Sequence, residues 1–150
     1  MIQRLQSVYL LLTTLLSLLF LKSGFIAFSD ESGTVINFTM TGISGDSEPL
    51  MKTIPVTLLI IIIPLLSLIT IFLFKNRRLQ LILCKLLLTL VSAFIILLVF
   101  YSYTVISRYN AELIPGIRMA LPVIQLILVY LAYRGIKKDD DLVKSYDRLR

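Results

Sequence analysis

The stretch that decides the fold is Ile54–Phe74, IPVTLLIIIIPLLSLITIFLF, which contains no charged residue. An α-helix rises about 1.5 Å per residue, so about 20 apolar residues are needed to cross the hydrocarbon core of a bilayer. This stretch is long enough to do so. It therefore predicts a transmembrane helix.

Three further apolar stretches flank it, at Leu5–Leu21, Leu79–Tyr103 and Pro115–Tyr133. The chain is 57% hydrophobic and its mean hydropathy of +0.90 is far above that of a soluble domain. The first stretch exceeds the usual length of a signal-peptide core and no small-residue cleavage site follows it, so we expect it to be retained. The predicted fold class is an all-α membrane protein, with residues 1–150 forming a single four-transmembrane-helix bundle.

The positive charges predict the orientation of these spans, because short loops rich in Lys and Arg stay in the cytoplasm. With four spans, the N-terminal end, the second loop and the C-terminal tail share one side. That side carries eleven of the 15 Lys and Arg residues: Arg4, Lys75, Arg77, Arg78, Lys85, Arg134, Lys137, Lys138, Lys144, Arg148 and Arg150. We therefore expect both ends of the chain in the cytoplasm. The net charge of +6 is then explained by a rim facing anionic lipid, and no nucleic acid is expected as a partner.

The outer loop, residues 22–53, is the largest polar segment between spans. GFIAFS and TVINFTMT are rich in aromatic and β-branched residues, and DESG between them is typical of a turn. We predict a short extracytoplasmic β-hairpin in which Gly24–Ser29 pairs with Thr34–Thr41. The following GISGDSEP is predicted to be a loop. A two-stranded hairpin is marginal alone in water, so it should rest on the outer ends of the helices.

Polar residues recur at helical spacing inside the spans and are the candidate intramembrane sites. They are Thr13, Thr14 and Ser17 in the first span, Lys85, Thr89 and Ser92 in the third, and Gln125 in the fourth. One interpretation is that they let helices approach closely and hydrogen-bond to each other. The other is a polar pathway or ligand cleft between helices one and three. Lys85 either extends its side chain to the cytoplasmic rim or contacts a substrate.

The cytoplasmic tail, residues 134–150, is predicted to form a separate amphipathic helix. Gly135 offers a helix break, and Asp139–Asp141 suit the first turn of a new helix. Leu142, Tyr146 and Leu149 then form an apolar stripe. This stripe should fold back on the helix ends, dock on a partner or lie on lipid, and the three acids weaken the lipid alternative.

The sequence offers few groups for catalysis or cofactor binding. It has no histidine and one cysteine, Cys84, so a zinc or haem site has almost no ligands. The aspartates 139–141 are adjacent on a helix and point in different directions, which disfavours a carboxylate metal site. We expect no cofactor, no metal and no enzymatic activity.

The opening MIQRLQSVYLLL and the ending YRGIKKDDDLVKSYDRLR resemble the two ends of an uncharacterised family of small four-span membrane proteins from Bacteroidota-type bacteria, known as a domain of unknown function. The resemblance covers the whole chain. It implies a four-helix protein of the bacterial inner membrane with no assigned activity. Because the two ends of the chain share one face, it also suggests that Gln3, Arg4 and Gln6 meet the tail.

The function expected from these features is that of an accessory or scaffold subunit with the lipid bilayer around it and a protein partner on its cytoplasmic face. The candidate partner-binding residues are Arg4, Arg77, Arg78, Asp140, Lys144, Asp147 and Arg148. The alternative is a small homo-oligomeric transporter or channel that uses the polar stripes of helices one and three.

Overall fold

The computed structural model describes residues 2–22, 24, 26–30, 35–39, 42–45, 49–74 and 76–148, and the side chains of residues 2–4, 22, 49–50 and 143–148 lie outside this description. Within these ranges the chain forms four α-helices and a small antiparallel sheet. The helices are α1 (Ile2–Lys22), α2 (Ile54–Phe72), α3 (Arg77–Tyr109) and α4 (Leu121–Arg148). α1 packs against α2 and α4, and α3 packs against the same two helices.

Among the described residues, three helical segments are long and apolar enough to cross a membrane: Ile54–Phe72, Arg77–Tyr109 and Ile117–Leu142. The apolar part of α1, Leu5–Leu21, is shorter. At most 33% of the most apolar part of each long segment is buried inside the protein, so the outward faces of the helices are also apolar. Exposed apolar surface on this scale is typical of a surface that meets lipid or another protein.

The core lies along one face of α3, where buried side chains recur every three or four residues, at Cys84, Leu87, Val91, Phe94 and Leu98. This is the spacing that places side chains on one side of a helix. The Phe94 ring meets that of Phe20 from α1, with ring centroids 5.7 Å apart. The centre of the protein is therefore filled by aliphatic and aromatic side chains.

Local signals set the helix ends. The Asn76 side chain accepts a hydrogen bond from the Leu79 backbone N–H at 3.4 Å and caps the start of α3. α3 ends at Tyr109, and the following Asn110 caps it in the left-handed conformation with φ of 46°. α4 begins at Leu121, after a 3₁₀ turn at Ile117–Ala120, instead of at Pro115. Pro122 then lies in the first turn, where its missing N–H is not needed.

The sheet has the strand order β4-β3-β2-β1-β5, and every adjacent pair is antiparallel. The strands are β1 (Ile26–Ser29), β2 (Val35–Thr39), β3 (Gly42–Ser44), β4 (Pro49–Met51) and β5 (Glu112–Ile114). The predicted hairpin is present, with Ile26 opposite Phe38 and Ser29 opposite Val35. The predicted bounds at Thr34 and Thr41 fall outside the described residues.

The prediction of a loop after the hairpin is wrong at Gly42–Ser44, which forms β3, and at Pro49, which begins β4; residues 46–48 lie outside the described residues. A hairpin alone is marginal, and here further strands extend it on both sides. Gly42 begins β3 at φ of 141°, with no room for a Cβ beside the Met51 carbonyl oxygen. The buried Phe38 packs edge to face on Tyr101 of α3, at 6.1 Å, so the sheet covers the C-terminal end of α3.

The prediction of a separate tail helix is also wrong, because α4 continues without a break through Gly135 to Arg148. A Cβ built on Gly135 would lie 2.8 Å from Gln6 Cγ. This glycine therefore permits close packing with α1 and does not end a helix. Asp139–Asp141 consequently lie inside α4 and do not cap a new helix.

Candidate functional site

The N-terminal end of α1, the start of α3 and the last turns of α4 meet at one end of the protein. Here the Gln6 side-chain Nε2 donates a hydrogen bond to Asp139 Oδ2 at 2.8 Å, and both side chains are buried. The predicted meeting of Gln6 with the tail is confirmed by this bond. The side chains of Gln3 and Arg4, for which the same was predicted, lie outside the described residues.

Arg77 joins the same site from α3. Its Nη1 donates to the backbone carbonyl oxygen of Asp139 at 3.1 Å. A backbone carbonyl oxygen has two lone pairs, so this one can accept a bond from the guanidinium in addition to its bond within α4. The residues Gln6, Arg77, Gly135 and Asp139, hereafter the Asp139 cluster, therefore hold three helices together at this end.

A buried carboxylate is costly unless it is hydrogen-bonded, and hydrogen bonds to a charged group are stronger than neutral ones. Asp139 is 7% exposed, so its bond with Gln6 offsets part of the free-energy cost of burying the carboxylate. The backbone contact at Gly135 brings the two helices close enough for this bond. Gly135 and Asp139 therefore have roles different from those predicted from the sequence, which were a helix break and the first turn of a new helix.

At the same end of the protein, a buried hydrogen bond joins the start of α3 to the end of α2. Gln80 is buried and its Nε2 donates to the Thr70 carbonyl oxygen in the last turns of α2, at 3.3 Å. Gln80 is not among the residues singled out from the sequence. Its position in the first turn of α3, next to the short loop after α2, is the signal that could have found it.

The predicted partner-binding residues are distributed differently over this end. Arg78 is exposed, Arg77 is half-buried and bonded to α4, and Asp140 is buried. Arg4, Lys144, Asp147 and Arg148 have side chains outside the described residues. The exposed charged face of α4 instead presents Arg134, Lys137, Lys138 and Asp141, which line an open groove of about 450 Å³ together with Leu142.

The polar stripe of α1 faces α2 and α4. Thr13, Thr14 and Ser17 are buried, and each hydroxyl donates to a carbonyl oxygen one turn earlier in α1, at 2.8–2.9 Å. Ser67 from α2, which is not among the polar residues predicted to form a site, donates to the Leu10 carbonyl oxygen at 2.9 Å. These bonds satisfy the hydroxyls and tie α2 to α1.

Gln125 links α4 to the same stripe. Its Nε2 donates to Ser17 Oγ at 2.7 Å, whereas its Oε1 is buried and has no partner among the described residues. An unpaired buried acceptor is uncommon and costs stability. Gln125 therefore holds two helices together and leaves one acceptor inside the protein for another donor.

The polar residues of α3 do not join this stripe. Lys85 and Thr89 are exposed on the outer surface, and Ser92 is half-buried. The hydroxyls of Thr89 and Ser92 donate to their own helix, at the carbonyl oxygens of Leu86 and Leu88. Within one chain the stripes of α1 and α3 therefore do not line a common cleft. Among the described residues, no group of three or more His, Cys, Asp or Glu side chains is placed to hold a metal ion.

A comparison with family models matches residues 2–149 to a domain of unknown function, DUF4293. The chain belongs to the DUF4293 family. No curated protein and no solved structure matches it. Membership of DUF4293 confirms the resemblance to an uncharacterised family, and the match includes both the Gln6 end and the Asp139 end of the cluster. The family description assigns no activity to these residues.

Proposed function

We propose that this DUF4293 protein is an integral protein of the bacterial inner membrane in which all four helices cross the bilayer as one bundle. The proposal is supported by the apolar outer faces of α2, α3 and α4 and by the packing of α1 between α2 and α4. A helix that packs on two spanning helices can be slightly short, because its ends can sit at the level of the lipid headgroups.

Both ends of the chain face the cytoplasm in this proposal. The Asp139 cluster joins the N-terminal end of α1, the start of α3 and the C-terminal part of α4. These are the segments that carry most of the Lys and Arg residues, and positive charge favours the cytoplasmic side. The sheet then lies on the opposite, extracytoplasmic surface.

The proposed function is that of an accessory or scaffold subunit that binds a protein partner through its cytoplasmic face. α4 has 28 residues and is about 42 Å long, whereas the hydrocarbon core is ~30 Å thick. About two turns therefore extend beyond the hydrocarbon core, and the turn before them lies at the level of the lipid headgroups. We call residues 138–148 the α4 arm.

The observation that carries this function is that the arm continues α4 and is fixed at its base by the Asp139 cluster. A rigid helix loses little conformational entropy on binding, so it is well suited to docking. Its exposed side chains include Lys138, Asp141 and Leu142, and this mixture of charged and apolar groups matches the rim and core of a protein interface.

A pull-down in mild detergent, read by mass spectrometry, tests the proposal. The full-length protein is compared with a variant truncated after Leu142, which keeps Asp139 and its bonds. We expect a stoichiometric partner to be lost with the truncation. The control is the pair Arg108→Gln and Arg118→Gln, both exposed at the opposite end of the helices, which should retain the partner. Equal recovery of partners by the full-length and truncated proteins would contradict the proposed function.

A small oligomeric transporter or channel is the second candidate function, and the observation in its favour is the exposure of the polar Lys85 and Thr89 on the otherwise apolar outer surface of α3. A route along Lys85 and Thr89 would need two or more copies, because these residues lie on the outer surface. In this alternative, Lys85→Met abolishes K⁺ or Cl⁻ flux in liposomes, and Arg108→Met does not. Absence of flux from the unmodified protein would exclude it for these ions.

A further inference from the structure

A groove follows the seam between α3 and α4 on the outside of the protein. Its lower part, nearer to the Asp139 cluster, has a volume of about 270 Å³ and is lined by Leu88, Ser92, Leu126, Ile127 and Tyr130. Its upper part, beneath the sheet, has a volume of about 390 Å³ and an almost entirely apolar lining that includes Ile95, Val99 and Val123. We call the two parts together the α3–α4 groove.

The two parts lie in line along both helices. On α3, Leu88, Ser92, Ile95 and Val99 follow one another at intervals of three or four residues, which keeps them on one side of the helix. The serine hydroxyl groups in the walls are occupied, because Ser92 donates to the Leu88 carbonyl oxygen and Ser102 donates to that of Leu98. The groove therefore offers hydrocarbon surface along its length.

Positive charges continue both walls at the end near the Asp139 cluster. On α3, Lys85 lies one turn before Leu88. On α4, Arg134 and Lys137 lie one and two turns after Tyr130. All three cations are exposed. Asp141 lies one turn further from the groove than Lys137, so the charges nearest to its mouth are positive.

We propose that the α3–α4 groove binds an anionic phospholipid, with one acyl chain along the groove and the phosphate among Lys85, Arg134 and Lys137. This inference rests on the proposed membrane insertion, which puts these cations at the cytoplasmic lipid headgroups. Basic pockets between transmembrane helices on this side bind anionic headgroups. The long side chains of Lys and Arg can reach the headgroup level from within a span.

The charges at the end of the groove favour a lipid over a helix from another protein. Three exposed cations suit one anionic phosphate, and the apolar walls beyond them suit an acyl chain. A slender hydrocarbon chain can lie along these walls without separating α3 from α4.

Native mass spectrometry of the full-length protein in mild detergent tests the headgroup preference. The probes are phosphatidylglycerol and phosphatidylcholine with identical acyl chains, added in equal amounts. We expect the unmodified protein to retain phosphatidylglycerol preferentially. Replacing Lys85 and Arg134 together by Gln should weaken this retention by about 30-fold, since each cation near the surface contributes appreciably to anionic lipid binding. The matched control replaces Arg108 and Arg118 by Gln at the opposite end and should not change retention.

A second pair of variants tests the groove itself. Ser92→Phe fills the lower part and should lower retention of phosphatidylglycerol, whereas Thr89→Phe places the same bulk on the outer surface and should not. The thermal unfolding temperatures of both variants show whether they remain folded. Equal retention of the two lipids by the unmodified protein, or equal losses in the two Phe variants when both are folded, overturns the lipid site.

Failure of this inference can be told from failure of the membrane proposal. A protein that alkaline carbonate extracts from cell membranes is not integral, which contradicts both. A protein that resists this extraction but does not discriminate between the lipids contradicts the lipid site alone.

Discussion

The replacement Gly135→Ala tests the contact between α1 and α4 that underlies the Asp139 cluster. The added Cβ would lie 2.8 Å from Gln6 Cγ and 3.3 Å from Gln6 Nε2. Real Cβ contacts are not this short, so the Gln6 side chain must move. Because Gln6 is buried, this movement lengthens or breaks its 2.8 Å bond with Asp139.

The magnitude follows from two opposing effects. Alanine is favoured over glycine inside a helix by about 1 kcal/mol. Loss of a hydrogen bond to a charged group costs about 1.5–3 kcal/mol. The net change in the free energy of unfolding should therefore be a loss of about 0.5–2 kcal/mol.

A double-mutant cycle isolates the contact. In a Gln6→Ala background the clash is absent, so Gly135→Ala should become stabilising by up to about 1 kcal/mol. The coupling free energy between the two positions is then about 1.5–3 kcal/mol. The assay is chemical unfolding of the four purified proteins in the same detergent. Equal effects of Gly135→Ala in the two backgrounds would refute the reasoning.

Two further predictions concern Arg77 and Gly42. Arg77→Met removes the donor to the Asp139 carbonyl oxygen and should lower the free energy of unfolding by about 1 kcal/mol in the same assay. Its control, Arg78→Met at an exposed position, should change the free energy of unfolding by less than about 0.5 kcal/mol. Equal losses in the two variants would contradict the assigned bond. Gly42→Ala forces a side chain into a φ of 141° beside a carbonyl oxygen and should cost about 1–3 kcal/mol. Gly116→Ala, which meets nothing within 4 Å, is its control, and equal protease resistance of the sheet in both variants would contradict the prediction.

The helices were predictable from the sequence because their apolar residues are consecutive. Ile54–Phe74 can be recognised without knowledge of its neighbours, and the structure places α2 at Ile54–Phe72. The hairpin was predictable for a similar reason, because the alternation in Val35–Thr39 and the intervening turn are local signals.

The remaining features depend on distant residues. β5 is assigned by its pairing with β1, since Ala27 lies opposite Ile114, and three residues are too few to show a pattern. Gly135 was interpreted as a helix break because glycine often ends helices. Its role is visible only when Gln6, far away in the sequence, is placed beside it. The polar stripe of α1 can be recognised in the sequence. Its bonds with Ser67 and Gln125 cannot, because they depend on how α2 and α4 pack against α1.

Site-specific photo-crosslinking in living cells tests the central claim, the docking of a partner on the α4 arm, most directly. A photoreactive residue at Leu142, which is 46% exposed, is compared with one at Ile117, which is 87% exposed and lies in the 3₁₀ turn that precedes α4. The account predicts a crosslinked protein of one defined mass from Leu142 that is absent from Ile117. No protein crosslink from Leu142, or the same products from both positions, would contradict it.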